Sequence, residues 1–369
     1  MYKYLLYRLL AGVIIIIQFS SCSSFITTKN SEIQGYINSD NPNIQYIGRF
    51  DFSNPLNITF EWPGIYIHAK FEGTSCAVRL NDIRNEYAVI IDNHAPRILT
   101  TDSSGIYKVA AGLADSLEHT ITIIKRTESF AGKGQFLGFV LDKGRGLLPA
   151  EKRPDKRIEF IGNSITCGYG VEGENDSCHF SLMTENAAMS YATMTARALN
   201  ADYSLVAYSG RGLVRNYGDS SKTSIDPMPS LYDRIFFEDS TSKWDFSKWV
   251  PQAVVINLGT NDFSTKPYPD KDVFQNAYIQ LINRVRMLYP QVTIFCVCGP
   301  MIGDPCMTYI NEVVVNEQKK NREKDVFFIP IPRSIMAEAD WACDKHPSIS
   351  GQVKMMNVIV PVIKTYMNW

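Results

Sequence analysis

Several things are scarce in this chain, and each scarcity removes a class of explanation. Lys and Arg number 37 against 38 Asp and Glu, a net charge of −1, so the chain carries no electrostatic footprint for nucleic acid or an anionic membrane surface. Long apolar runs are missing. The N-terminal run Leu9 to Phe19 contains Gln18 and falls short of the ~20 residues of a spanning helix. Cysteine numbers 8 in 369 residues, which implies no dense disulfide framework, and its spacings match no compact zinc pattern. Histidine is rarer still, at 5, so few imidazoles compete for any catalytic role.

The N-terminus is built for export. Lys3 and Arg8 flank an apolar stretch that ends in the small residues Ser20 and Ser21 before Cys22. The stretch Phe19-Ser20-Ser21-Cys22 resembles a bacterial lipoprotein lipobox, and that resemblance implies lipidation of Cys22 and attachment to a membrane of the cell envelope. Phe19 departs from the usual aliphatic residue, and plain secretory cleavage is the alternative. Either route places the mature protein outside the cytoplasm. Seven cysteines then remain in a disulfide-permissive compartment, an odd number, so at least one thiol has no partner within the chain. Cys296 and Cys298 share a strand face at ~6.6 Å of rise and read as core thiols. Cys167 and Cys178 could pair across a loop.

Residues 1–21 thus read as a signal peptide and 22–40 as a polar tether. From 41 to 145 come short β-branched and aromatic runs, such as Ile65 to Ala69, Tyr87 to Ile91 and His119 to Ile124. Turn residues such as Pro63-Gly64 and Ser104-Gly105 separate them, which predicts an antiparallel β-sandwich. After a Pro-rich, charged linker the pattern over 155–369 alternates strands with helices. Strands are expected at Ile158 to Ile161, Tyr203 to Tyr208, Ala253 to Leu258, Val292 to Val297 and Val326 to Ile329. Helices are expected near Ala188 to Leu199, Asp272 to Leu288 and Gln352 to Met367, giving an α/β domain of three αβα layers with a parallel sheet.

Chemistry concentrates where those strands end. Gly162 gives the chain freedom to turn sharply, and Ser164 projects from the bend into the crevice where open parallel sheets place ligands. A serine nucleophile needs a base and donors for the oxyanion. Three histidines, His68, His94 and His119, belong to the β-rich half and His179 follows Ser164 in a loop, which leaves His346 as the base, with Asp344 as the carboxylate that orients it. Donors are offered by the loop Tyr208-Ser209-Gly210 and by Asn261 in Gly259-Thr260-Asn261-Asp262, where Asp262 reads equally as a loop brace.

Gly162-Asn163-Ser164-Ile165, Gly210, Gly259-Thr260-Asn261-Asp262 and His346 resemble, in order, the four blocks of the SGNH (GDSL-type) hydrolase superfamily. Together with Trp244-Asp245-Phe246 and a preceding sandwich, they are similar to carbohydrate esterase family 2, whose members deacetylate plant polysaccharides. The resemblance implies Ser164 as nucleophile, His346 as base and an oxyanion hole from the Ser164 N–H, Gly210 and Asn261, with an acetylated carbohydrate as substrate and neither metal nor cofactor. Two departures stand out. Asn163 replaces the superfamily's usual Asp, and the acid's usual place, three residues before the histidine, holds Cys343, while Asp344 lies two before. Some family 2 members use a backbone carbonyl there instead.

Three rival readings are weaker. An α/β-hydrolase needs a second glycine after the serine, which Gly162 to Thr166 lacks. A metal site from Cys167, Cys178, His179, Cys343 and His346 has no compact ligand spacing. A carbohydrate-binding lipoprotein with a degenerate cleft, or a lipase- or thioesterase-like enzyme of the same superfamily, shares the fold. Tyr169 and Trp341 are the aromatic candidates for stacking on a sugar ring.

Overall fold

The computed structural model describes residues 35–320 and 325–369. The apolar N-terminal run and Cys22 lie outside the described residues.

Alternation of apolar and polar residues builds the first half. Tyr66–Glu72 and Ser75–Asn81 bury every second side chain, as strands with one solvated face must. Two antiparallel sheets result. One contains Phe50–Asp51, Ile58–Phe60, Gly134–Leu141, Ser75–Asn81 and Gly105–Ala111 in that order, with Tyr36–Asn38 also pairing Gly134–Leu141. The other runs Gln45–Ile47, Tyr66–Glu72, Glu118–Lys125, Glu86–Ile91 and Arg97–Thr100. The sandwich therefore begins inside the stretch expected to be tether: Tyr36, Ile37 and Asn38 lie opposite Val140, Phe139 and Gly138. Ser75–Asn81, Arg97–Thr100 and Gly105–Ala111 are further strands that the apolar runs did not announce, because polar and small residues such as Ser75, Arg79, Arg97, Gly105 and Lys108 break them up.

The second half is a five-stranded parallel sheet in the order Ala201–Ala207, Lys156–Gly162, Ala253–Ile256, Thr293–Cys298 and Val326–Pro330. Ala253–Ile256 and Thr293–Cys298 inside it are buried on both faces and read as apolar runs. Phe160, Val255, Phe295 and Val297 pack against Tyr191 of the helix Tyr191–Ala198 and Ile359 and Ile363 of Ile349–Met367. Ile161, Val254, Ile256, Ile294 and Cys296 face the other way, toward Phe274 and Tyr278 of Lys271–Leu288 and Ile310 and Val313 of Cys306–Lys320, a helix the sequence reading missed.

The two halves share buried polar contacts. Glu159, which interrupts the central strand Lys156–Gly162, pairs with Arg49 of the sandwich at 3.1 Å, both side chains being almost fully buried. Tyr232 donates its hydroxyl to the same carboxylate. A charge buried without such partners would cost several kcal/mol, so this strand position couples the sheet to the sandwich.

Candidate active site

Ser164 begins the short helix Ser164–Cys167 immediately beyond the strand Lys156–Gly162. Gly162 is required at the bend, because a Cβ there would meet Thr166 Oγ1 at 2.0 Å. Asn163 caps the helix, its side chain accepting from the Ile165 N–H at 3.3 Å. That cap leaves the serine in the first turn, where backbone N–H groups have no helical partner.

His346 opens the two-residue strand His346–Pro347 just before the last helix, and its Nε2 stands 2.8 Å from Ser164 Oγ. Burial drives the imidazole pKa from 6.5 down to about 4, against the opposing effect of the Asp344 and Cys343 backbone carbonyls. His346 Nδ1 is buried without a well-formed hydrogen bond, although those carbonyls lie near enough to favour the protonated ring.

The expected role of Asp344 in orienting His346 through its side chain is not what the geometry gives. Asp344 has a left-handed backbone, φ 53°, and its carboxylate makes no hydrogen bond to the imidazole. Its oxygens instead accept from Tyr169 Oη at 2.9 Å and the Phe180 N–H at 3.0 Å, and face His179 Nδ1 at 2.9 Å. Burial opposes ionisation of Asp344, but these hydrogen bonds prevail and hold it below the ordinary carboxylate range. A disulfide between Cys178 and Cys343 fixes the same junction. Cys178 thus pairs with Cys343 rather than with Cys167, the pairing that sequence left open, which removes two ligands from the metal-site reading; Cys167 is a buried free thiol. Cys296 and Cys298 are buried free thiols, as expected.

Gly210 follows the strand Ala201–Ala207 and adopts φ +76°; a Cβ there would meet only Tyr217, at 4.0 Å, so conformation rather than space calls for glycine. Among the described residues, no hydrogen bond takes its N–H. Asn261 lies in the helix Thr260–Ser264 and donates one amide hydrogen to the Arg211 carbonyl at 2.8 Å, leaving a second. Asp262 next to it is a brace: fully buried, it accepts the Leu213, Val214 and Arg215 N–H groups at 2.8 to 2.9 Å and so holds the loop beyond Gly210.

Ser164, Gly210, Asn261 and His346 line one open cleft of about 500 Å³, with Tyr169, Ser209, Tyr217, Thr260, Ser264, Met301 and Asp344. Tyr169 is spoken for within the protein, stacking on Phe180 and on His346 with ring centroids 4.3 Å apart in each case. Trp341 does not line the cleft; it is buried with the Arg333 guanidinium over its ring. The exposed aromatic at the cleft is Tyr217, 65% exposed, which sequence reasoning missed although it stands alone among polar residues between Asn216 and Ser224.

A family model for the carbohydrate esterase 2 N-terminal domain matches residues 46–150, and one for the GDSL-like lipase/acylhydrolase family matches 160–353. A solved family two carbohydrate esterase from Clostridium thermocellum, in complex with cellohexaose, superposes with a TM-score of 0.82 at 38% identity, covering 88% of this chain and 99% of that one. The chain belongs to carbohydrate esterase family 2. The sandwich followed by a parallel αβα domain is that family's architecture. The cellulase/esterase CelE of Acetivibrio thermocellus is 41% identical over 338 residues, covering 89% of this chain, which spans only 40% of CelE's length. An acetylxylan esterase / glucomannan deacetylase of Cellvibrio japonicus is 27% identical over 340 residues, covering 90% of this chain and 91% of that protein. Membership supports a carboxylic ester hydrolase.

Proposed function

We propose that the protein is an exported serine esterase that removes O-acetyl groups from plant-type polysaccharides or their oligosaccharides, such as xylan and glucomannan, through an acetyl-Ser164 intermediate. The observation that carries this reading is the 2.8 Å contact between His346 Nε2 and Ser164 Oγ at the floor of an open cleft. An imidazole kept neutral by burial is ready to accept a proton. His346 takes the Oγ proton as Oγ bonds to the acetyl carbon. The resulting oxyanion is met by the Ser164 and Gly210 N–H groups and the Asn261 amide. Collapse breaks the ester bond, and the departing sugar oxygen takes the proton from His346. Water then gives its proton to His346 and attacks the acetyl-enzyme; acetate leaves and Ser164 regains its hydrogen.

No carboxylate holds the imidazole; the Tyr169 ring lies against it, with the Asp344 and Cys343 backbone carbonyls nearby. Acetylated glycan as substrate is supported by the deacetylase name of the Cellvibrio relative and the cellohexaose held by the Clostridium structure. The Cys178–Cys343 disulfide supports an oxidising compartment, in keeping with the signal-like N-terminus and lipid attachment at Cys22. Released acid from acetylated xylan, acetylated glucomannan and a long-chain ester tests the reading. Acetate from the glycans with little acid from the long chain is the expected result. Preference for the long chain, or glycan binding without hydrolysis, would overturn it.

A further inference from the structure

One contact to the oxyanion loop comes from the sandwich rather than from the catalytic half. Glu128 lies just beyond the strand Glu118–Lys125 and has no exposed surface. Its carboxylate accepts the Ser209 backbone N–H at 2.7 Å and also the Ser209 hydroxyl. Ser209 immediately precedes Gly210, the proposed oxyanion donor, so the N–H and the hydroxyl of the residue before that donor are held by one buried carboxylate. Peptide geometry makes this matter. The Ser209 N–H belongs to the Tyr208–Ser209 peptide, so these two bonds fix that plane and the Ser209 side chain, and with them the point from which the peptide carrying the Gly210 N–H departs.

The carboxylate is itself held. The Glu128 N–H donates to Glu185 Oε2 at 3.1 Å. Burial pushes both carboxyls above the ordinary range, Glu185 well above it with the Glu128 charge adding to the effect of burial. Lys125, fully buried, donates Nζ to the Thr127 carbonyl at 2.6 Å and the Glu128 carbonyl at 3.1 Å, placing positive charge beside the pair. Cys167 Sγ completes a group whose ligand-type atoms lie within 4.8 Å of one another, but burial and both glutamates keep that thiol protonated. The same segment fixes the base: Phe130 packs on Phe180 with centroids 5.2 Å apart, and Phe180 stacks on Tyr169, which covers His346.

We propose that Glu128 is a positioning residue of the oxyanion hole, and that the sandwich segment from Lys125 to Ala131 is thereby part of the esterase rather than a separate appendage. This rests on the esterase reading above. Glu128 touches no substrate; it acts through Ser209 on the direction of the Gly210 N–H. A donor that is misdirected loses its hold on the tetrahedral oxyanion while the ground-state ester is bound as before, so turnover falls and KM does not.

The test uses the full chain, 4-nitrophenyl acetate as substrate and phenylboronic acid as a tetrahedral mimic on Ser164. Glu128→Ala is expected to lower kcat about 30- to 100-fold with KM within about twofold, and to weaken boronic acid inhibition by a similar factor. Glu128→Gln is expected to recover most of that loss, because the Ser209 hydroxyl can turn from donor to acceptor toward the new amide. Ser209→Ala, which keeps the N–H contact and removes only the hydroxyl's bond to the carboxylate, is expected to lose about three- to tenfold in both kcat and boronic acid affinity, and it decides the matter should Glu128→Ala fail to fold. Wild-type kcat and boronic acid affinity in Ser209→Ala, or in folded Glu128→Ala, would overturn the proposal, as would a loss that Glu128→Gln does not recover. Boronic acid affinity reports the loop even when no acetate ester is turned over, so failure of this inference and failure of the esterase reading give different results.

Discussion

The Asp344 carboxylate lies 2.9 Å from His179 Nδ1 and not in a hydrogen bond to His346, although Asp344 is two residues from that histidine in sequence. It anchors the turn that carries the base. Loss of a carboxylate that holds a triad imidazole in the right tautomer costs about 10⁴ in turnover. Asp344→Asn is expected to cost about tenfold or less, and His346→Ala about 10⁴ or more, measured as kcat on an aryl acetate. Equal losses in the two variants would show that the carboxylate does orient the ring.

Burial holds His346 down to about 4, and catalysis needs its neutral form. A histidine depressed from 6.5 keeps that form at every pH above its folded value and loses it only as pH falls through that value. The acid limb of kcat/KM is therefore expected near pH 4 to 5, with a flat profile from about pH 6 to neutrality. A midpoint at or above the unperturbed histidine value would contradict this.

Asn261 keeps one amide hydrogen on Arg211 and has another for the oxyanion. Asn261→Ala is expected to lower kcat by about 10²–10³, with a small change in KM. Near-normal turnover would remove Asn261 from the oxyanion hole.

The Cys178–Cys343 disulfide closes a loop of 165 residues in sequence separation and ties the segment after Ser164 to the segment before His346. A disulfide of that span stabilises by about 2–5 kcal/mol. The double variant Cys178→Ser/Cys343→Ser is expected to unfold at correspondingly lower denaturant concentration while it keeps its fold in buffer, because Asp344 N and Lys345 N also bond to Cys178 O and Asp176 O across the same junction, and to turn over more slowly because that junction carries His346. Unchanged stability and turnover would show the bridge to be dispensable.

What could be read from sequence is what is local. Ser164, Gly210, Asn261 and His346 each sit in or near a turn at the end of an apolar run or just before a helix, so motif and element order placed all four in one cleft. Three features escaped because they are fixed by direction or by distance along the chain. The Asp344 side chain points to Tyr169, Phe180 and His179, which no spacing rule reveals. Cys178 finds Cys343 only once the fold brings their segments together. Trp341, five residues before His346, turns into the protein beneath Arg333 instead of into the cleft. Glu128 was hidden for a different reason: it belongs to the sandwich, and a reading that divides the chain into domains does not look there for support of an oxyanion hole.

The central claim is that Ser164 attacks the acetyl ester with His346 as its base, and acetate release from acetylated xylan by wild type and Ser164→Ala tests it most directly. Ser164 Oγ lies 2.8 Å from that base, so its removal is predicted to reduce release by about 10⁴ or more while glycan binding and thermal stability are kept. Acetate release from Ser164→Ala within about tenfold of wild type would contradict the account.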